Sequence, residues 1–282
     1  MTNTILALID GSEFSRPVLD LAAWAATRNR AAVRLLHVLP PKSLPRVDLS
    51  GEIGLGARST LLSELAALDE QRARLAMVRG RAILDDATAV LKAAGVRSVT
   101  AQLRQGDLLE SVAGQEAEAG LIVIGKRGES ADRAPGHLGS NFERIVRAAT
   151  LPVLMAPRRM REIRRATIAH DGSPSAQRAV ERVTRLPAYR GLEIEIVRAG
   201  EGADGEASLA EAQAVLARAG IAVTTRLLSG APEEAILTHL QDSGSDFLIM
   251  GAYGHSRIRS LMVGSTTTAI LQKVQLPALL VR

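Results

Sequence analysis

Cysteine is absent from the 282-residue chain, which excludes disulfides, cysteine-ligated zinc sites and thiol nucleophiles. Aromatic residues are scarce: one Trp, two Tyr and three Phe. A protein that reads nucleic acid by stacking bases on aromatic rings is therefore not expected. Apolar runs are short, four residues at 121–124 and six at 21–26, whereas a bilayer span needs about 20. No membrane partner is expected either. The opening Met-Thr-Asn-Thr-Ile carries neither a positive n-region nor a long apolar segment, so a cytoplasmic protein is the expectation. Net charge is only +5, and its one cluster is Arg158, Arg159, Arg161, Arg164 and Arg165. That cluster reads as a solvated basic connector.

What the chain does have is one unit written twice. Ile5-Leu6-Ala7-Leu8-Ile9-Asp10-Gly11-Ser12 near the start is answered by Ala166-Thr167-Ile168-Ala169-His170-Asp171-Gly172-Ser173. Each is an apolar run ending in Asp-Gly-Ser and followed by helical periodicity, with Ser and Pro as start signals. Gly120-Leu121-Ile122-Val123-Ile124-Gly125 likewise matches Asp246-Phe247-Leu248-Ile249-Met250-Gly251, and Leu151-Pro152-Val153-Leu154 matches Leu276-Pro277-Ala278-Leu279. Each half reads as five strands alternating with helices, which calls for an α/β fold with a parallel sheet covered on both faces. The expected division is a first domain over 1–157, a basic linker over 158–165 and a second domain over 166–282. An insert at about 40–79 starts as a Pro- and Gly-bearing loop and becomes helical from Leu61 onward.

Sheets of this type bind ligands beyond the carboxyl ends of the strands, at the switch in strand order. After the fourth strand of the second half comes Gly251-Ala252-Tyr253-Gly254, then nine residues, then Gly264-Ser265-Thr266 opening a helix. Glycines admit close approach, and a helix N-terminus with hydroxyl side chains accepts anions, so the segment describes a phosphate cradle built of backbone. In the first half Gly125-Lys126-Arg127-Gly128 is followed by ten residues before Gly139-Ser140. One added residue need not destroy the loop but can reshape the cradle, while Lys126 and Arg127 are candidates to reinforce an anion site. Gly120 to Lys126 nearly fits P-loop spacing, but a strand fills the place of the loop and Arg follows the Lys, so it is not one.

Gly-x2-Gly-x9-Gly-Ser, the Asp ending the first strand and the closing Leu-Pro-x-Leu-x-Val together resemble the universal stress protein family. The whole chain looks like a tandem member. The resemblance implies two doubly wound five-stranded domains of the adenine nucleotide alpha-hydrolase-like, Rossmann-like kind, paired as a pseudo-dimer through 152–156 and 277–281. It also implies a stress-response protein that binds ATP or ADP, with or without Mg, as a structural or switching ligand. Carried onto this chain, the preferred site is in the second half: Asp171, Met250, Gly251, Gly254, Gly264, Ser265 and Thr266. Met250 would line the purine pocket or pack in the core. His255 would reach phosphates, and His170 is placed to touch a ligand. The weaker site is Asp10, Gly125, Gly128, Gly139 and Ser140.

Evidence for catalysis is thin. His37, His137, His170, His239 and His255 form no metal-binding helix pattern, and no Gly-x-Ser-x-Gly elbow is present. His37 reads as a packed histidine. A slow ATP hydrolase in the same pocket stays open, as do a scaffold with a degenerate site or another ligand, and a homodimer.

Overall fold

The computed structural model describes residues 3–41, 55–129, 137–200, 202–252 and 264–282. In the first half, β1 (Thr4–Leu8), α1 (Ser15–Asn29), β2 (Ala32–Leu39), α2 (Leu55–Ala93), β3 (Val99–Gln105), α3 (Leu108–Ala113), β4 (Leu121–Gly125), α4 (Ser140–Ala148) and β5 (Val153–Ala156) follow in order. The second half repeats them as β6 (Arg165–Ala169), α5 (Pro174–Arg185), β7 (Glu193–Ala199), α6 (Ala203–Arg218), β8 (Val223–Leu228), α7 (Pro232–Asp242), β9 (Phe247–Gly251), α8 (Ser265–Lys273) and β10 (Ala278–Val281). The insert is thus helical from Leu55, six residues earlier than the apolar pattern alone announces.

The ten strands among the described residues form one sheet in the order β3-β2-β1-β4-β5-β10-β9-β6-β7-β8. Among the described residues, neighbours within each half are parallel and only β5 and β10 run antiparallel, pairing Ala278 with Met155, Leu279 with Leu154 and Leu280 with Val153. That reversal puts the carboxyl ends of the two sets of strands on opposite edges of the sheet.

Alternation in each strand feeds two apolar layers. Ile5 and Ala7 join the layer under α1, α2, α5 and α6, whereas Leu6 and Leu8 join the layer under α3, α4, α7 and α8. Both layers continue across the β5–β10 seam. Gly11 and Gly172 have the same left-handed φ of 79°, so the duplicated Asp-Gly-Ser is one turn used twice, at a position that favours glycine.

Half of the chain's six aromatics stand at the junction of the halves. Trp24 of α1 lies 5.6 Å from Phe247 and 6.5 Å from Tyr189, and those two rings stack at 6.3 Å. Around them, Arg28 donates to the carbonyls of Ala188 and Arg190 at 2.7 and 2.6 Å, and Arg182 donates to that of Gly120 at 2.9 Å. In the connector, Arg158 pairs with Glu13, Arg164 with Glu162 and Arg165 with Glu193.

Trp24 is the only tryptophan, so its emission reports on the junction. Tyr189→Ala should red-shift that emission and reduce unfolding stability by about 3 kcal/mol, the usual scale for emptying a buried aromatic site. An unchanged spectrum and midpoint in denaturant would contradict this role for the aromatic cluster.

Candidate functional site

Strand order reverses between β1 and β4, and Asp10 and Gly125 stand at that switch. A cleft of about 740 Å³ opens there, within the range of small-molecule sites. Its apolar lining includes Leu8, Phe14, Leu36, Val38, Ile124 and Phe142, and its polar lining includes Asp10, Arg79, Asp107, Arg127, Glu129 and Arg144. The five first-half residues singled out from the sequence, Asp10, Gly125, Gly128, Gly139 and Ser140, all border this one cleft.

The loop after β4 is built against the turn after β1. Asp10 Oδ2 accepts from the Glu129 N–H at 2.8 Å, while Oδ1 accepts from the Ser12 N–H at 3.0 Å and from the Ser15 hydroxyl at 3.2 Å. The carboxylate therefore latches one loop to the other. This latch explains the glycine at 128, where a Cβ would come within 2.4 Å of Asp10 Oδ2. At Gly139 a Cβ would meet Arg127 Cα at 3.0 Å, and at Gly125 it would meet the Arg127 carbonyl at 2.8 Å. The glycine spacing thus serves the packing of the loop on itself and on the turn after β1.

Helix α4 begins at Gly139, which supplies no side-chain cap, so its leading N–H groups are left for solvent or an anion. Arg127 runs beside this start, its Nε donating to the His137 carbonyl at 2.7 Å, and it has no carboxylate partner among the described residues. Arg79 is paired with Glu129 at 3.1 Å and Arg144 with Asp107 at 2.7 Å. The Arg144 guanidinium, together with the Glu110 N–H, holds the Asp107 carboxyl below its ordinary value. Asp107 also caps α3. It sits just past the carboxyl end of β3, where the Gly106-Asp107 pair is the signal the sequence carries for it.

Lys126 and Arg127, equivalent candidates in the sequence, part company in the structure. Lys126 turns away from the cleft, and its Nζ donates to the carbonyls of Gln272 and Val274, both at 2.8 Å. It thereby closes the carbonyl end of α8 in the other half. Its expected share in an anion site is corrected to a cross-seam cap. His37 lies at the cleft with Nδ1 donating to the Ile9 carbonyl at 2.8 Å.

In the second half Gly264 opens α8 as Gly139 opens α4, with no side-chain cap, and Ser265 and Thr266 are exposed at its start. Asp171 is exposed, and its Oδ1 accepts from the Ser173 N–H at 2.9 Å. Met250 is buried in the layer that holds Ala169, Val197 and Ile270. Gly251 abuts α5, where a Cβ would meet Ser175 Oγ at 2.4 Å. His170 is buried: Nδ1 accepts from the Gly172 N–H at 3.3 Å, which puts the ring proton on Nε2, facing Gln177 Oε1 at 3.4 Å. Burial lowers its pKa. Gly254 and His255 lie outside the described residues. A further hollow of about 640 Å³ lies under the connector, lined by Arg158, Arg159, Arg161 and Lys273, at the amino ends of the second-half strands. It also borders Val274, whose carbonyl Lys126 reaches.

Among the described residues no cluster of His, Asp and Glu is arranged to hold a metal ion, and no helix is long and apolar enough to cross a membrane. The universal stress protein family model matches residues 1–157 and 199–282. Universal stress protein Slr1230 of Synechocystis sp. is 37% identical over 284 residues, covering 99% of each chain. A universal stress protein from Archaeoglobus fulgidus superposes with a TM-score of 0.77 at 22% identity, over 100% of this chain and 99% of that one. A chain from Pseudomonas aeruginosa superposes at 0.62 with 17% identity, over 99% of this chain and 93% of that one. At those identities the two structures speak for the fold alone.

The latch makes a non-additive pair. Gly128→Ala alone should cost about 1–3 kcal/mol by overpacking. In an Asp10→Ala background the cost should fall by at least about 0.5 kcal/mol, because the clashing oxygen is gone. Additive losses in denaturant unfolding would remove the latch from the account. A second expectation concerns pH. Burial draws the Lys126 ammonium down from 10.5 to about 8. Between these values the unfolded chain keeps a proton that the folded chain has released, so stability gains with rising pH. The stability difference between the native chain and Lys126→Met should grow from pH 8 to 10.5. A flat difference would contradict it.

Proposed function

We propose that this chain, which belongs to the universal stress protein family, binds an adenine nucleotide, ATP or ADP, in the first-half cleft as a structural or switching ligand. The observation that carries this reading is the meeting, at one topological switch, of an apolar-walled cleft with an uncapped helix start and an arginine lacking a carboxylate partner among the described residues. Phosphates would lie against residues 139–141 and Arg127, and the base between Leu36, Val38 and Phe14. Asp10 Oδ2, with one of its acceptor directions taken by Glu129, keeps capacity for a ribose hydroxyl or a base amine. The residues fit such a ligand.

Binding is favoured over turnover because the acids at the cleft already have work. Asp10 holds the loop, Asp107 caps α3 and pairs with Arg144, and Glu129 pairs with Arg79. Among the described residues, Asp107 and Glu129 are thus engaged, and the remaining acceptor capacity of Asp10 is assigned to the nucleotide rather than to an attacking water. A ligand held between α4 and the latched loop would stabilise the folded chain by RT ln(1 + L/Kd), where L is its free concentration. It would also favour whichever loop arrangement binds it better. Any Mg would come with the phosphates.

One observation favours a second reading, with the nucleotide in the second half. The spacing Gly251-x2-Gly254-x9-Gly264-Ser265 and the equally uncapped start of α8 offer the same chemistry there. Two exposed serines separate the readings. Ser140→Glu places a carboxylate at the proposed phosphate position without touching the core, and it should weaken ATP binding by roughly tenfold or more in calorimetry. Ser265→Glu should leave binding unchanged. The reverse pattern would move the site to the second half, and full affinity in both variants would overturn nucleotide binding at either helix start.

A further inference from the structure

Helix α2 is far longer than the sheet it covers. Its 39 residues span about 58 Å at 1.5 Å per residue, against about 26 Å for the eight-residue β2. Gly80 marks where it leaves the body. A Cβ there would meet Leu103 at 2.7 Å and His37 at 3.1 Å, side chains near the carboxyl ends of β3 and β2. Residues before Gly80 therefore run out past the carboxyl edge of the first-half sheet, and Ala76 and Arg79 still border the cleft as the helix departs.

This projection carries every exposed large hydrophobic side chain among the described residues: Leu68, Leu75, Met77 and Val78, from 41% to 62% exposed. Leu68, Leu75 and Val78, seven and then three residues apart, form one stripe, with Met77 standing off it. Positions 65, 69, 73, 76 and 80 are less exposed and mark the side turned to the body, so the stripe looks outward. Exposed apolar side chains concentrated on one helix face, rather than scattered singly, indicate an interaction surface.

Charge along the same segment identifies the partner. Residues 64–70 carry Glu64 and Glu70, with Asp69 on the side turned to the body, and no base, while residues 71–81 carry Arg72, Arg74, Arg79 and Arg81 and no acid. Two copies of this segment laid parallel would oppose acid to acid and base to base. Laid antiparallel about a two-fold axis between residues 71 and 72, each acidic stretch faces a basic one. In that register Leu68 meets the partner's Leu75, and Glu64 meets the partner's Arg79. A self-complementary patch of this kind is what a closed two-fold interface requires. The contacts inside one helix do not compete strongly: Arg72–Asp69 at 3.8 Å and Arg74–Glu70 at 3.6 Å are loose, exposed pairs.

We infer that the projecting part of α2 is a homodimerisation arm, pairing antiparallel with the same helix of a second copy through Leu68, Leu75 and Val78. The seam between the halves is internal to each chain, so this contact joins chain to chain. It also sets the first-half cleft of each subunit beside the arm.

The absence of native cysteine gives a clean test on the full chain. Sedimentation should show a dimer, and Leu68→Glu with Leu75→Glu should weaken self-association by roughly tenfold or more, with unchanged circular dichroism. Under mild oxidation Gln71→Cys, next to the axis, should cross-link efficiently. Glu64→Cys should not, because antiparallel pairing holds its two copies roughly 22 Å apart along the helices. Three results would overturn the inference: a monomer throughout, a dimer that the double variant leaves intact, or cross-linking at both positions, which requires parallel pairing. A monomer that sediments with anionic phospholipid vesicles would overturn it too, by assigning the stripe to a membrane surface.

Discussion

The architecture depends on one antiparallel pairing among parallel ones, the short ladder between β5 and β10. Two five-stranded sheets left separate would each end in an exposed apolar edge. Joined through residues 153–155 and 278–280, they share one sheet and two continuous apolar layers. Other cross-seam contacts sit where that pairing brings the halves together. The Trp24, Tyr189 and Phe247 rings fill the gap between α1 and the second half, and Lys126 and Arg282 each reach a helix-terminal carbonyl across the line.

The reversal at the seam also decides where ligands can be received. The carboxyl ends of β1 and β4 share an edge with the amino ends of β9 and β10, so each half offers its loops on its own side. Duplication supplied both sides with the same turn, the same glycines and the same uncapped helix start. The halves then differ in detail. The first has the Asp10 latch, three arginines and a long α2 alongside its cleft, whereas the second packs His170 into its turn and seats Gly251 against Ser175. A nucleotide in the first half would touch the loop from which Lys126 reaches α8, so ligand and seam are mechanically adjacent.

Much of this was legible in the chain because buried parallel strands read as continuous apolar runs and because each run was written twice. The strand ends, the Asp-Gly-Ser turns, the five first-half residues around one cleft and the seam strands follow from local pattern and resemblance. What was not legible depends on long-range partners. Lys126 next to Arg127 looks like half of an anion site until Val274, 148 residues away, supplies its carbonyl. Asp10 reads as a turn or ligand residue, and only the fold brings it the Glu129 N–H from 119 residues on. Helix α2 shows the opposite case: its charge segregation and leucine spacing were present in the sequence, but their meaning required knowing that this stretch stands clear of the core.

Amide hydrogen exchange of the full chain with and without ATP tests the central claim most directly, because it reports whether the nucleotide binds and where. The account predicts added protection in peptides spanning 125–129 and 140–144, with little change at 264–268. Protection confined to 264–268, or none anywhere at saturating ATP, would contradict it.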